Sequence, residues 1–121
     1  MDKLPVIAAL ALWACGCARD PAPRPATPPP FKASCQTPTL GVCTEYTEAA
    51  FVLGEELVKT GCLELKGTWT PARCPPDHTL GACALNGERR LYYPGGELDF
   101  SPDRARRDCV ELFSGEWFAR R

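Results

Sequence analysis

The chain has 121 residues and a formal net charge of −1, from 14 Lys and Arg against 15 Asp and Glu. That balance lacks the basic footprint of a nucleic-acid-binding domain, and the length leaves room for little more than one small domain behind a targeting segment. Eight cysteines and 13 prolines are the compositional extremes, and they point to disulfides and an extended linker rather than to a large apolar core.

The N-terminus reads MDKLPVIAALALWACGCARD. Lys3 and the free amine precede an apolar run from Leu4 to Ala14. That is the length of a signal-peptide core and too short for a membrane span, which takes about 20 residues. A buried helix or strand opening a globular domain is the alternative, and the Pro-rich stretch close behind argues against it. "LWAC", Leu12 to Cys15, resembles a bacterial lipobox, and "ACGC", Ala14 to Cys17, overlaps it as a second candidate. The resemblance implies cleavage before the cysteine and a diacylglycerol thioether on its sulfur. Each buried CH₂ of such an anchor contributes about 0.8 kcal/mol. The leucine three places before Cys15 favours Cys15 as the lipidated residue. Cysteine parity favours the alternative, Cys17, because cleavage there leaves six other cysteines. Neither cysteine is followed by Asp, and the resemblance then implies the outer membrane of a bacterial cell envelope.

The expected organisation is a signal peptide over 1–14, a lipid anchor and Pro-rich spacer over 15–34, and two Cys-rich repeats over 35–73 and 74–121. Six prolines lie between Pro21 and Pro30. They exclude helix and sheet there and favour polyproline II, at about 3.1 Å per residue. A stalk is expected; a ligand for a proline-binding domain is the alternative.

Cys35, Cys43, Cys62, Cys74, Cys83 and Cys109 remain. In an exported chain this density predicts a disulfide framework. A metal site is not expected: no closely spaced Cys pair occurs after residue 34, and His78 is the sole histidine. "CLELKGTW" (62–69) returns as "CVELFSGEW" (109–117), and "CQTPTLGVC" (35–43) is echoed by "CPPDHTLGAC" (74–83). The echo equates Cys35, Cys43 and Cys62 with Cys74, Cys83 and Cys109. From that symmetry alone the expected bridges are Cys43–Cys62, Cys83–Cys109 and Cys35–Cys74, one of fifteen possible pairings.

The fold expected is a small disulfide-rich α+β domain of two tandem halves, each a hairpin or strand, a helix and a short strand. In the second half, Leu80–Leu85 and Glu88–Tyr93 flank the hairpin signal Asn86-Gly87. Ser101, Pro102 and Asp103 supply an N-cap, a first-turn proline and a first-turn acid for a helix running to Ser114. Ala105, Cys109 and Leu112 share one face, as do Val58, Cys62 and Leu65 in the first half. That first helix is read back to Thr47, with a strand at Ala50–Leu53 as the alternative. In both copies the Gly after the helix is expected to turn Trp69 or Trp117 into the core. Paired Trp platforms for a glycan are the alternative. With "GVCTEY", "CP…LGAC", "YY" and the Cys…Gly-x-Trp endings in view, residues 35–118 resemble cysteine-rich lipoproteins of bacteria. The resemblance implies an anchor and bridges, and it brings no activity.

An enzyme is not expected. The three serines, Ser34, Ser101 and Ser114, lie in no nucleophile motif, and Asp77-His78 has no nucleophile beside it in sequence. Arg104, Arg106 and Arg107 are interleaved with Asp103 and Asp108, so nucleic acid is excluded as a partner. No cofactor is implied. The expected function is a membrane-anchored envelope lipoprotein whose ectodomain binds a partner, an envelope protein or polymer, through Tyr92, Tyr93 and Phe118. A structural component of an envelope assembly is the alternative, as is a peptidase inhibitor presenting the loop "PPDHTLG".

Overall fold

A computed structural model describes residues 31–120. Cys15, Cys17, the signal peptide and most of the spacer lie outside the described residues. Chain order is β1 (Phe31–Thr37), β2 (Val42–Thr47), a 3₁₀ turn (Glu48–Phe51), α1 (Glu55–Glu64), β3 (Thr68–Thr70), β4 (Gly81–Leu85), β5 (Glu88–Tyr92), α2 (Pro102–Arg107), a π turn (Asp108–Leu112) and β6 (Glu116–Ala119). The six strands form one antiparallel sheet in the order β3-β1-β2-β5-β4-β6. This is a small, disulfide-rich α+β fold. β1 begins inside the segment read as spacer, and its Ala33 and Ser34 are buried.

The order reads the same from both ends. Each half is a hairpin, a helix, and a last strand that returns beside the first. Cys35 lies opposite Trp69 across β1/β3, as Cys83 lies opposite Trp117 across β4/β6. Cys35 also faces Thr44, as Cys83 faces Arg90. Thr44 and Arg90 face each other where β2 meets β5, so a pseudo-two-fold axis passes between them. The true equivalences are therefore Cys35 with Cys83, Cys62 with Cys109, Trp69 with Trp117 and Tyr46 with Tyr92. The Thr-Leu-Gly-x-Cys echo misleads: Gly41 sits in a hairpin turn with φ 81°, whereas Gly81 opens β4.

That shift decides the bridges. They are Cys35–Cys62, Cys43–Cys74 and Cys83–Cys109. The Cys83–Cys109 expectation agrees; Cys43–Cys62 and Cys35–Cys74 are corrected. Cys35–Cys62 and Cys83–Cys109 are symmetry mates, each pinning a helix to the first strand of its own half. Cys43–Cys74 has no counterpart, because Arg89 holds the place in β5 that Cys43 holds in β2. It fastens the connector 71–80 across the opposite face of the sheet, as a strap.

The repeated Cys…Gly-x-Trp cassette acts differently from its sequence reading. Cys62 and Cys109 are buried. The turn itself is made by the residue before the glycine: Lys66 at φ 58° and Ser114 at φ 54°. Gly67 and Gly115 are needed for closeness. A Cβ at Gly67 would lie 2.7 Å from Cys35 Sγ, and one at Gly115 would lie 2.7 Å from Leu85 Cδ2. The second cassette is one residue longer. The extra residue is taken up by the π turn, the usual outcome of one insertion in a helix. Gly67 N–H accordingly reaches back to the Cys62 carbonyl, and Gly115 N–H to that of Cys109 (both 2.9 Å).

Other departures have local causes. Gly54 takes φ 112°, which no helix accommodates, so α1 starts at Glu55 and a 3₁₀ turn replaces both the longer helix and the strand alternative. Leu112 is 74% exposed because the wider π turn swings it off the face of Ala105 and Cys109. Leu65 lies one residue past the end of α1 and is 61% exposed. The Asn86-Gly87 hairpin forms as expected, and Ser101 Oγ accepts from Arg104 N–H (3.1 Å) as the N-cap of α2.

Each half carries an aromatic trio on the helix side of the sheet. Tyr46 lies 5.5 Å from Trp69 and 6.1 Å from Phe51, and Tyr92 lies 5.7 Å from Trp117 and 4.9 Å from Phe100. Both tryptophans are thus part of the packing and are not paired open platforms.

Candidate functional site

The sheet alternation separates the residues read as one binding patch. Tyr92 points to the helix side, is fully buried, and donates its hydroxyl to Asp108 Oδ2 (2.5 Å). Its exposure as a binding residue is therefore corrected. Tyr93, the next residue, points to the strap side, where its hydroxyl donates to the Pro75 carbonyl (2.5 Å). Phe118 lies on that side too, opposite Ala82, and is 52% exposed. Burial pushes the phenols of Tyr92 and Tyr93 up to about 12, with Asp108 adding to the first and the charge of Glu45 to the second.

The strap side is tightly secured. Glu45 is buried, its Oε2 accepts from Cys74 N–H (3.0 Å), and its Oε1 faces Arg89 (3.3 Å) and Arg73 (3.7 Å). Both arginines are more than half exposed, so the buried backbone bond carries the attachment. A cleft of about 310 Å³ opens beside the strap, with Pro75, Asp77, His78 and Tyr93 among its walls. His78 sits in a turn at φ 62°. Among the described residues no cluster of three or more His, Cys, Asp or Glu could hold a metal.

The helix side is different. α1 packs on β1 and β3, and α2 on β4 and β6. The central strands β2 and β5 are left between them. A groove of about 300 Å³ runs there, floored by Val42, Thr44 and Arg90 and walled by Leu57 and Leu65 on one side and Leu98 on the other. Leu57, Leu65 and Leu98 of its lining are exposed, and further exposed apolar residues occur in the segment 52–63. Val52 and Leu53 are each 84% exposed, and Leu57, Leu63 and Leu65 are exposed beside them. Sequence reasoning missed this surface because only one face of α1 was considered. The excess of Leu and Val beyond that face was the available signal.

Arg90 was also missed as a site residue. Strand alternation could have found it, since Arg90 stands two residues before the core Tyr92 and must share its face. Its guanidinium carbon lies 4.4 Å from the centre of the Phe113 ring, and its Nε is buried without an acceptor. The salt bridges among the described residues are those of Arg73 and Arg89 with Glu45; none involves Arg90. Glu88 shares its strand face; burial raises the pKa of that carboxyl, and the charge of Arg90 partly offsets the rise. Asp108 accepts from the Tyr92 hydroxyl through Oδ2. Comparison with known protein families, curated proteins and solved structures finds no match to this chain.

Proposed function

We propose that the chain is a lipid-anchored lipoprotein of the bacterial envelope, most consistent with an outer-membrane anchor at Cys15 (Cys17 as the alternative). Its stapled ectodomain acts as a binding module, not an enzyme, and the working surface is the helix side. The observation that carries this is the groove whose lining includes Leu57, Leu65 and Leu98, each of them exposed. A chain this small gains stability by burying such residues, and apolar side chains left open around one concavity mark a contact surface. The lipobox-like "LWAC" and the three bridges support export to an oxidising compartment.

The test is photo-crosslinking in a Gram-negative host. A photoreactive residue replaces Leu57 on the helix side or Phe118 on the strap side of the full chain, and adducts are sized by intact mass. A discrete, saturable adduct to a different protein from position 57 but not 118, on a chain whose mature N-terminus is a lipidated cysteine, is expected. Equal adducts to such a protein from both positions would remove the assignment of the surface. A full-length unlipidated chain would remove the anchor.

A further inference from the structure

We propose that two copies of this chain join through β6, edge to edge and antiparallel, merging their six-stranded sheets into one. This contact lies apart from the helix-side groove. β3 and β6 are the two edges of the sheet. On β6, Arg120 N–H bonds the Leu80 carbonyl (3.3 Å), in line with the register that sets Phe118 opposite Ala82. Backbone groups alternate in direction along an antiparallel strand. Those of Glu116, Phe118 and Arg120 therefore turn toward β4, and those of Trp117 and Ala119 turn outward. An edge of this kind pairs with another chain unless something blocks it.

β3 is blocked and β6 is not. Trp69 matches Trp117 under the pseudo-two-fold, so Pro71 stands where β6 has Ala119. Proline has no N–H and closes the edge. The chain then turns away, with Ser34 Oγ donating to the Ala72 carbonyl (2.6 Å).

The side chains select a second copy as the occupant. A two-fold axis through Phe118 lets the outward Trp117 of each copy bond the outward Ala119 of the other. The same register sets Phe118 against Phe118 and, twice over, Glu116 against Arg120, all on the strap side. Glu116, Phe118 and Arg120 are exposed, and neither charge is in a salt bridge among the described residues. Arg120 Nη1 lies 3.5 Å from the Thr79 carbonyl, which leaves the other guanidinium donors open. On the helix side Trp117 meets the small Ala119. Aromatic and opposite-charge pairs stabilise facing strands. Moving the axis to Trp117 or Ala119 keeps the backbone bonds but sets Phe118 against Glu116 or Arg120 and removes both ion pairs. One register is thereby favoured, and the contact is isologous.

The test is sedimentation velocity over a range of concentrations. It uses the full chain with Cys15→Ser and Cys17→Ser, so that no attached lipid drives association. This parent should pass from monomer to dimer and stop there, because Pro71 closes the other edge. Glu116→Arg and Arg120→Glu each turn two ion pairs into two like-charge pairs, and each should weaken dimerisation about tenfold or more. Mixed in equal amounts, the two variants again set opposite charges against each other, and the mixture should dimerise as the parent does. A variant that had merely lost its fold would not be rescued in this way. Ala119→Pro removes an outward N–H and should leave a monomer. In the parent, amide exchange at Trp117 and Ala119 should slow as concentration rises. A parent that stays monomeric overturns the proposal. So does a dimer indifferent to Glu116→Arg and Ala119→Pro, since the copies then meet elsewhere. Growth beyond the dimer would overturn the blocking of β3.

Discussion

Replacing Gly67 with Ala and Gly61 with Ala should move stability in opposite directions, although only five residues separate them. Gly61 lies inside α1, and a Cβ there would meet nothing within 4 Å. The substitution removes backbone freedom from the unfolded chain and should stabilise by about 0.5–1 kcal/mol. Gly67 has no positive φ, so its backbone accepts alanine. Its Cβ, however, would lie 2.7 Å from Cys35 Sγ, 2.9 Å from Cys62 Sγ and 2.9 Å from Thr37 Cγ2. A disulfide cannot give way as a flexible side-chain tip can. Overpacking at such a place costs about 1–3 kcal/mol. For a domain of this size about 4–8 °C in Tm accompanies each kcal/mol. Thermal unfolding by circular dichroism without reductant, with thiols counted to show all bridges intact, should put Gly61→Ala above wild type and Gly67→Ala several degrees below it. Gly115→Ala should fall likewise, since its Cβ would crowd Cys83 Sγ and Leu85. An unchanged or raised Tm for Gly67→Ala would refute the claim that bridge proximity selects this glycine.

Non-reducing digestion and mass mapping should return Cys35–Cys62, Cys43–Cys74 and Cys83–Cys109. Replacing Cys43 and Cys74 together with Ala should lower stability by up to about 3–4 kcal/mol, the chain-entropy value for a bridge closing a separation of 31 residues. The sheet circular dichroism of that variant should be retained, because the strap covers the sheet and supplies no strand to it. The three tyrosines should resist ionisation: Tyr46 is raised by burial and by Glu88, and Tyr92 and Tyr93 titrate near 12. A folded pKa above the unfolded value of about 10 gives stability that is complete below pH 10 and lost as pH rises toward 12. Phenolate absorbance should therefore stay low past pH 10 and rise together with unfolding. A rise centred at pH 10 in the folded protein would contradict the burial of Tyr92.

Where the signals are local, the chain is readable. Asn86-Gly87 needs only its own backbone to dictate a hairpin, and Ser101-Pro102 needs only the next turn to start a helix. Cysteine density predicted a disulfide framework, because composition alone carries that signal. The pairing of Cys43 with Cys74 was not readable, because a bridge without a symmetry mate leaves no trace in a repeat. The Thr-Leu-Gly-x-Cys echo pulled the alignment toward a chance match, when the strand registers align Cys35 with Cys83. Tyr92 and Tyr93 were grouped by adjacency, although neighbours in a strand point to opposite sides. The groove depends on where two helices stand apart over the sheet, a tertiary spacing that no segment encodes by itself.

The clasp between the halves has a consequence for which residues can face each other at the pseudo-two-fold axis. Thr47 N–H bonds the Gly87 carbonyl (2.9 Å) and Tyr93 N–H bonds the Gly41 carbonyl (2.8 Å), so each hairpin tip is held by the other half. One half alone would satisfy these groups only by meeting a second copy, and its folding would depend on concentration. Joining the copies replaces that encounter with an intramolecular one at an effective concentration on the order of mM. It also lifts a constraint that identical copies cannot escape. In a homodimer of second halves Arg90 would face its own twin across the axis, and like charges directly opposite each other in a sheet repel. With both halves in one chain Thr44 stands there instead, so the place where identical copies would set like charges against each other holds one charged and one neutral residue.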